Sequence, residues 1–307
     1  MKQLSTVRRT SPRIGLALGS GSARGWSHIG VIRVLEQAGI SPDIVCGASM
    51  GALVGAAYAA GDLDRLETWA KGLTWKAVVG LLDLKIGGGL IAGTKLLSFF
   101  RARFEDPGIA KLPKAYAAVA TELATGREVW LRDGPVIDAV RASIAVPGLF
   151  TPAEMDGRLL VDGGLVNPVP VSLCRAMGAD IVIAVDVNSD LMGKQFHAPV
   201  ESATPAPETT PGAFASIMAK MTPDFMRNGP KNPVEMPSML DVLSTSLNIM
   251  QVRITRSRLA GEPADILIRP RLSDIASMDY HRAAPAITEG QRAAEQMLPE
   301  LREFFGK

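Results

Sequence analysis

Short apolar segments alternate with longer amphipathic ones over the first two thirds of the chain. Six apolar segments predict buried strands: 14–19, 43–47, 115–122, 127–132, 158–164 and 180–187. Four segments with helical periodicity lie between them: 28–39, 49–61, 136–145 and 169–179. Strands that alternate with helices pair in parallel and are covered on both faces. The pattern therefore predicts a three-layer α/β/α sandwich with a mainly parallel central sheet.

The pattern changes at about residue 190, where a Pro-rich segment extends to about 238. After it, a stripe of apolar residues predicts an amphipathic helix with the stripe in the core: Leu240, Leu243, Leu247, Met250 and Ile254. A strand at 264–270 and a helix at 279–305, interrupted at Pro299, complete the pattern. We therefore expect a basic tail at 1–13 and a single domain at 14–305 with a Pro-rich insertion at about 190–238.

The insertion contains a second apolar stripe, at 212–227. A stripe of this kind covers the protein's own core in most helices, and it can instead form a lid that contacts a lipid surface. The sequence leaves both interpretations open.

Composition excludes several classes of function. Lys and Arg total 33 against 31 Asp and Glu, which argues against a nucleic-acid partner. Cys46 and Cys174 lie in apolar segments without metal-ligand spacing, so we expect buried free thiols. No apolar segment has the ~18 residues of a membrane span. These features predict a cytoplasmic protein, with peripheral membrane contact through the basic tail as an alternative.

Ser49 lies in the sequence GASMG (47–51), which has the G-x-S-x-G pattern of a nucleophile elbow. The small residues Gly47 and Gly51 permit a tight turn between a strand and a helix. A serine hydroxyl is a poor nucleophile unless a base lies beside it, and none of the three histidines is obviously placed for that role. Ser49 is thus a candidate nucleophile, with a glycine turn of no catalytic role as the alternative.

The segment GSGSARG, residues 19–25, directly follows the first predicted strand. Its backbone N–H groups could converge on an anion, either a phosphate or a developing oxyanion. A P-loop would need a lysine after Gly25, and Arg24 stands where a dinucleotide-binding fingerprint needs glycine. The remaining alternative is a turn that only lets a helix pack against the strand.

Asp162 ends a predicted strand and is followed by Gly163 and Gly164. An Asp-Gly pair is common in ordinary turns. Here the two glycines would also allow another backbone to approach the carboxylate closely, which makes Asp162 a candidate functional acid.

Taken together, the three motifs resemble those of the patatin-like phospholipases, in particular the bacterial RssA-type branch. That family has an oxyanion loop G-G-G-x-[RK]-G, an elbow G-x-S-x-G and an acid motif D-G-[GA]. The resemblance continues in ATELATG (120–126), RASIAVPGLFTP (141–152) and GADIVIAVDV (178–187). It is strong over 14–190 and looser over 240–305.

The resemblance implies a Ser–Asp dyad without a catalytic histidine, in which Ser49 is the nucleophile and Asp162 is the base. It places the oxyanion hole at the loop residues Gly19, Ser20, Gly21, Ser22, Arg24 and Gly25. Support for the elbow and the acid turn comes from Gly47, Gly51, Gly163 and Gly164. The implied substrate is a carboxylic ester of a phospholipid or lysophospholipid, cleaved through an acyl-enzyme with no metal or cofactor. No oligomeric state is indicated.

The loop departs from the family pattern at Ser20 and Ser22, which occupy glycine positions. Serine can supply backbone donors at these positions provided that its φ stays negative. We also expect that a Cβ on Gly21 would lie where the substrate carbonyl approaches.

Two other functions remain open at this stage. A Ser-His-Asp esterase would need His197 or His281 as its base, since His28 is placed to pack or cap a helix. The same fold could also serve as a non-catalytic lipid-binding or regulatory module.

Overall fold

The computed structural model describes residues 12–81, 101, 106, 108–191 and 239–306. Most of the predicted basic tail, the 212–227 stripe and His197 lie outside these residues. The described part contains an eight-stranded sheet: β1 (Ile14–Leu18), β2 (Ile44–Ala48), β3 (Ala115–Glu122), β4 (Glu128–Leu131), β5 (Ala153–Met155), β6 (Arg158–Asp162), β7 (Ile181–Val185) and β8 (Ile266–Ile268).

The α-helices of the described residues are α1 (Ser27–Gln37), α2 (Met50–Ala60), α3 (Leu63–Lys71), α4 (Trp75–Leu81), α5 (Val136–Ser143), α6 (Val171–Ala176), α7 (Met239–Gly261) and α8 (Ala283–Phe305). Short 3₁₀ turns lie at Ser22–Trp26 before α1, at Gly163–Leu165 directly after β6 and at Tyr280–Arg282 before α8. The sequence pattern did not predict α3, α4 or the three-residue β5, because short elements carry little periodicity.

Five strands form the parallel part of the sheet, in the order β3-β2-β1-β7-β8. The antiparallel strands β4, β5 and β6 extend it beyond β3. Side chains alternate across the sheet: Leu16 and Leu18 face a core with α1, α2 and α8, and Ala17 faces a second core with α6. The predicted three-layer sandwich with a mainly parallel sheet is confirmed.

The register along β3 brings the ends of β2 and β6 together. β4 pairs with residues 118–121 of β3, while β2 pairs with 115–119 and β6 with 120–122. A residue can pair with only one strand on each side, so β2 and β6 both lie on the side of β3 opposite β4. Ala48 pairs with Val119 and Asp162 pairs with Ala120, so the last residues of β2 and β6 meet.

Two predictions for the last third of the chain were wrong in detail. Helix α8 continues through Pro299 without interruption. Both Pro299 and Glu295, whose carbonyl loses its helical N–H partner, are exposed, so water can bond that carbonyl. Helix α7 forms, but Leu243 and Met250 are 37% and 47% exposed, so the predicted stripe is not the buried face.

Candidate active site

Ser49 is the turn residue between β2 and α2, with φ 55° and ψ −124°. Positive φ costs a non-glycine residue roughly 1–3 kcal/mol, so the surrounding structure must hold it. A Cβ on Gly47 would lie 2.3 Å from the carbonyl oxygen of Gly51. A Cβ on Gly51 would lie 2.1 Å from the carbonyl oxygen of Leu18. The two glycines of the elbow are therefore required by close backbone approach.

The Ser49 hydroxyl donates a hydrogen bond to Asp162 Oδ2 at 2.6 Å. The other carboxylate oxygen, Oδ1, accepts a hydrogen bond from the Gly164 amide at 2.7 Å, which orients the carboxylate. Both side chains are buried. Burial raises the pKa of Asp162 from 3.8 to about 6, against the opposing effect of the hydrogen bonds from Ser49 and Gly164. The pair thus consists of a serine and a carboxylate that is more basic than an exposed aspartate.

Two buried hydroxyls, which the sequence reasoning missed, support this pair. The Ser143 hydroxyl at the end of α5 accepts a hydrogen bond from the Ser49 amide at 2.9 Å. The Thr121 hydroxyl on β3 donates to the Asp162 carbonyl oxygen at 2.8 Å. Both lie inside segments that resemble the family, but a single serine or threonine there has no spacing that would mark it as a partner of Ser49 or Asp162.

Glycines bring the three motifs into contact. A Cβ on Gly25 would lie 2.4 Å from the Cβ of Met50, so its absence lets the 19–25 loop approach the elbow. A Cβ on Gly163 would lie 2.1 Å from the Val119 carbonyl oxygen, and one on Gly164 would lie 2.7 Å from Ser20 Oγ. The acid turn consequently packs against both β3 and the loop.

The backbone amides of the 19–25 loop fall into two groups. Those of Gly19, Ser20, Ala23 and Arg24 donate to the carbonyl oxygens of Val185, Pro168, Ser277 and Gly21, at 3.0, 2.8, 3.2 and 3.1 Å. Those of Gly21 and Ser22 have no acceptor among the residues that the structure describes. Met50, the residue after the nucleophile, also has an amide without an acceptor in the described residues. The sequence reasoning did not include Met50. In nucleophile elbows of this pattern, the residue after the nucleophile supplies a backbone amide to the oxyanion hole, so its position was a usable signal.

The loop differs from the sequence reasoning at two residues. Ser22 has a positive φ of 49°, in the left-handed region that favours the glycine of the family pattern. A Cβ on Gly21 would lie 2.2 Å from Val187 Cγ2, so it would collide with the protein's own packing and not with an approaching carbonyl.

Arg24 anchors the loop from inside the protein. Its buried guanidinium donates to Asn188 Oδ1, the Ile275 carbonyl oxygen and Asn248 Oδ1, at 3.0, 3.2 and 2.9 Å. All three acceptors are neutral, and burial lowers the pKa of Arg24 from 12.5 to about 10. The guanidinium remains charged at neutral pH and fixes the loop to segments after β7 and β8 and to α7.

The two described histidines do not contact the Ser49–Asp162 pair. His28 is fully buried and its Nε2 lies 2.7 Å from the Gly19 carbonyl oxygen. Burial lowers the pKa of His28 to about 4, so the ring is neutral and Nε2 carries the proton that it donates. His281 is exposed and packs edge-on against Trp75, with ring centroids 5.7 Å apart.

Two searches over the described residues bear on metals and membranes. They contain no group of three or more His, Cys, Asp or Glu side chains arranged to hold a metal ion. They also contain no helix whose length and apolar character would let it span a bilayer.

Sequence comparison with known proteins identifies the family of the chain. The sequence model described as "Patatin-like phospholipase" matches residues 16–175, just over half of the chain. An uncharacterized NTE family protein of Mycobacterium tuberculosis is 35% identical over 331 aligned positions, which cover 94% of this chain and 92% of that protein.

Two larger proteins match over part of their length. Lysophospholipase nte1 of Neurospora crassa is 27% identical, with 94% of this chain and 18% of that protein covered. Human patatin-like phospholipase domain-containing protein 6 is 37% identical over 188 residues, with 59% of this chain and 14% of that protein covered. The chain belongs to the patatin-like phospholipase family, within its NTE branch, and is at family level a lipid carboxylic ester hydrolase.

Proposed function

We propose that the protein hydrolyses a carboxylic ester of a phospholipid or lysophospholipid with Ser49 as nucleophile and Asp162 as base. The observation that carries the proposal is the 2.6 Å hydrogen bond from the Ser49 hydroxyl to Asp162 Oδ2. A nucleophile needs a base within hydrogen-bond reach, and Asp162 is the titratable group found there among the described residues.

In the first step, Ser49 Oγ forms a bond to the ester carbonyl carbon while its proton moves to Asp162 Oδ2. The carboxylate suits this role because its pKa of about 6 makes it more basic than an exposed aspartate while leaving it ionised at neutral pH. Oδ1 stays bonded to the Gly164 amide, so Oδ2 keeps its orientation during the transfer.

The tetrahedral oxyanion needs donors that are already in place. We assign this role to the amides of Gly21, Ser22 and Met50, which lack acceptors in the described part of the chain. The amides of Gly19, Ser20 and Arg24 already donate to backbone carbonyls and act in holding the loop. Each well-placed donor contributes ~10²–10³-fold to the rate.

In the rest of the reaction, Asp162 acts first as an acid and then again as a base. The protonated Asp162 gives its proton to the leaving alcohol oxygen as the carbon–oxygen bond breaks, which leaves the acyl group on Ser49. Asp162 then takes a proton from an incoming water molecule, whose oxygen attacks the acyl carbon. Ser49 Oγ recovers a proton as the fatty acid leaves, and the resting pair is restored.

A mass-spectrometric experiment tests both parts of the proposal. We expect a transient acyl adduct on the peptide containing Ser49 after rapid mixing and acid quench with lysophospholipid, together with free fatty acid release. Adduct formation with a soluble short-chain ester but none with phospholipid or lysophospholipid would refute the lipid substrate and keep the dyad. Turnover with an adduct on another residue would refute the dyad, and no turnover with any ester would favour the non-catalytic lipid-binding module.

A further inference from the structure

A polar cleft of about 670 Å³ lies at the carboxyl ends of β7 and β8, between α7 and α8. Its volume falls in the range of roughly 300–1,000 Å³ that is usual for small-molecule sites. Charged side chains dominate its lining: Asp186, Asp190, Arg256, Arg269, Arg271 and Arg292. The Ser49–Asp162 pair does not line it, so the cleft is a second site-like feature on the same edge of the sheet.

The arginines of this cleft differ in their pairing. Arg292 is held by Glu289 through two hydrogen bonds of 2.6 Å. The guanidinium groups of Arg256, Arg269 and Arg271 make no ion pair within the described residues. Arg256 and Arg269 both lower the pKa of Asp186, which burial raises overall, so their charges act at the floor of the cleft. Three guanidinium groups around one concavity are suited to an anion, and above all to a phosphate, whose oxygens match their fork geometry.

The floor of the cleft carries acceptors. Asp190 Oδ2 accepts a hydrogen bond from the Ser273 amide at 3.0 Å, while Asp190 Oδ1 is buried without a partner. Because Oδ1 is enclosed, a ligand in the cleft does not contact it, and the nearby charge of Asp190 raises the pKa of the buried Arg24 guanidinium against the effect of burial.

We propose that this cleft binds a phosphate ester, with its phosphate between Arg256, Arg269 and Arg271. The shared chemistry covers a free sugar or glycerol phosphate and the head group of a lipid such as phosphatidylglycerol. The proposal does not depend on the chemistry at Ser49.

The cleft is joined to the oxyanion loop through a short segment after β7. Asp186 Oδ1 accepts a hydrogen bond from the Asn188 amide at 3.1 Å. The Asn188 side chain in turn donates to the Ser20 carbonyl oxygen at 2.9 Å and accepts from Arg24 at 3.0 Å. A ligand in the cleft therefore contacts the segment that holds the loop.

Calorimetric titration of the full chain with sn-glycerol 3-phosphate tests the proposal. We expect saturable binding to the wild type and at least a ~10-fold weaker affinity in the variant Arg256→Gln with Arg269→Gln, since the variant loses charge-assisted hydrogen bonds to the phosphate. Arg253→Gln, an exposed arginine on α7 outside the cleft, is the matched control and should bind like the wild type. These arginines are exposed, so an unchanged melting temperature should show that each variant folds.

Two further arms identify the ligand source and the role of the floor. Asp190→Asn removes a negative charge from the cleft lining and should leave the affinity for sn-glycerol 3-phosphate unchanged or higher. A loss of affinity in this variant would contradict binding by the arginines. Co-sedimentation with phosphatidylglycerol vesicles that depends on Arg256 and Arg269, without binding of sn-glycerol 3-phosphate, would identify a lipid head group as the ligand. Absence of binding in both formats, or an equal loss in the Arg253 control, would overturn the proposal.

Discussion

The turns after β1 and β2 lie side by side on the same edge of the sheet and contain similar residues. Each has closely packed glycines, each leads into a helix, and each holds a serine with positive φ, 49° at Ser22 and 55° at Ser49. They differ in which part of the chain faces the substrate in the proposed reaction. The second turn presents a side chain, the Ser49 hydroxyl, whereas the first presents backbone amides.

This difference determines how each turn is held. The strained backbone at Ser49 is fixed by the Ser143 hydroxyl and by two glycines against neighbouring carbonyls. The 19–25 loop is fixed by the buried side chain of Arg24, whose three hydrogen bonds reach segments distant in sequence. Strain at a proposed catalytic serine is consistent with function, while strain at Ser22 follows from the placement of its amide.

The largest expected effect comes from removing the base of the second turn. Asp162→Asn keeps the shape of the side chain and loses the carboxylate, so kcat should fall by ~10²–10⁴-fold. Steady-state ester hydrolysis measures this, with His281→Ala as the control that keeps its activity. Loss of activity in His281→Ala or His197→Ala, with the fold intact, would instead support a Ser-His-Asp triad.

A second large effect is expected from the anchor of the first turn. Arg24→Met removes three hydrogen bonds and leaves buried acceptors on Asn188 and Asn248 unpaired. Displaced loop amides should lower kcat by ~10²-fold, as for loss of one oxyanion donor. Activity per folded molecule, measured well below the melting temperature, separates this from instability. A variant with reduced stability and wild-type kcat would show that Arg24 serves folding alone.

A smaller effect concerns pH and stability. The Asp162 pKa is raised from 3.8 to about 6 in the folded protein, so folding favours its protonated form. The contribution of Asp162 to stability is therefore fully present below pH 3.8 and is lost as pH rises through about 6. Relative to Asp162→Asn, the wild type should lose up to roughly 3 kcal/mol of unfolding free energy between pH 4 and 8. Urea unfolding of both proteins measures this, and parallel pH curves would contradict a raised pKa.

The smallest effect is expected at Ser22. Glycine accepts positive φ without strain, so Ser22→Gly should change the free energy of unfolding by within ~1 kcal/mol and kcat by only a few-fold. The matched variant Ser49→Gly relieves the same kind of strain but should abolish ester hydrolysis. Thermal unfolding and turnover of the two variants compare the turns directly. A large loss of kcat in Ser22→Gly would mean that the first turn also acts through a side chain.

Much of the fold and both residues of the candidate pair could be predicted from the sequence. Apolar strands between helical segments predicted the layered sheet. The glycines around Ser49 and Asp162 indicated the two turns in which these residues lie. Contacts between residues distant in the chain could not be predicted from the sequence. The meeting of β2 with β6 along β3, which joins Ser49 to Asp162, depends on strand register, and the contact of Arg24 with Asn248 joins residues distant in the chain.

Burial on α7 was also not predictable from its pattern. Periodicity placed Leu243 and Met250 inside, but Asn248, Val252 and Thr255 are the buried residues, at 8%, 3% and 3% exposure. The Asn248 side chain is buried where it accepts a hydrogen bond from Arg24, and such a pairing of polar groups leaves no apolar signal in the sequence.

The rate at which a fluorophosphonate probe labels Ser49, measured against pH, tests the central claim most directly. A Ser49–Asp162 dyad predicts labelling of the wild type that rises with pH through about 6 and then levels, as the carboxylate ionises. It also predicts no labelling of Ser49→Ala, strongly slowed labelling of Asp162→Asn, and wild-type rates in His197→Ala and His281→Ala. Labelling of Asp162→Asn at the wild-type rate, or labelling that depends on either histidine, would contradict the dyad.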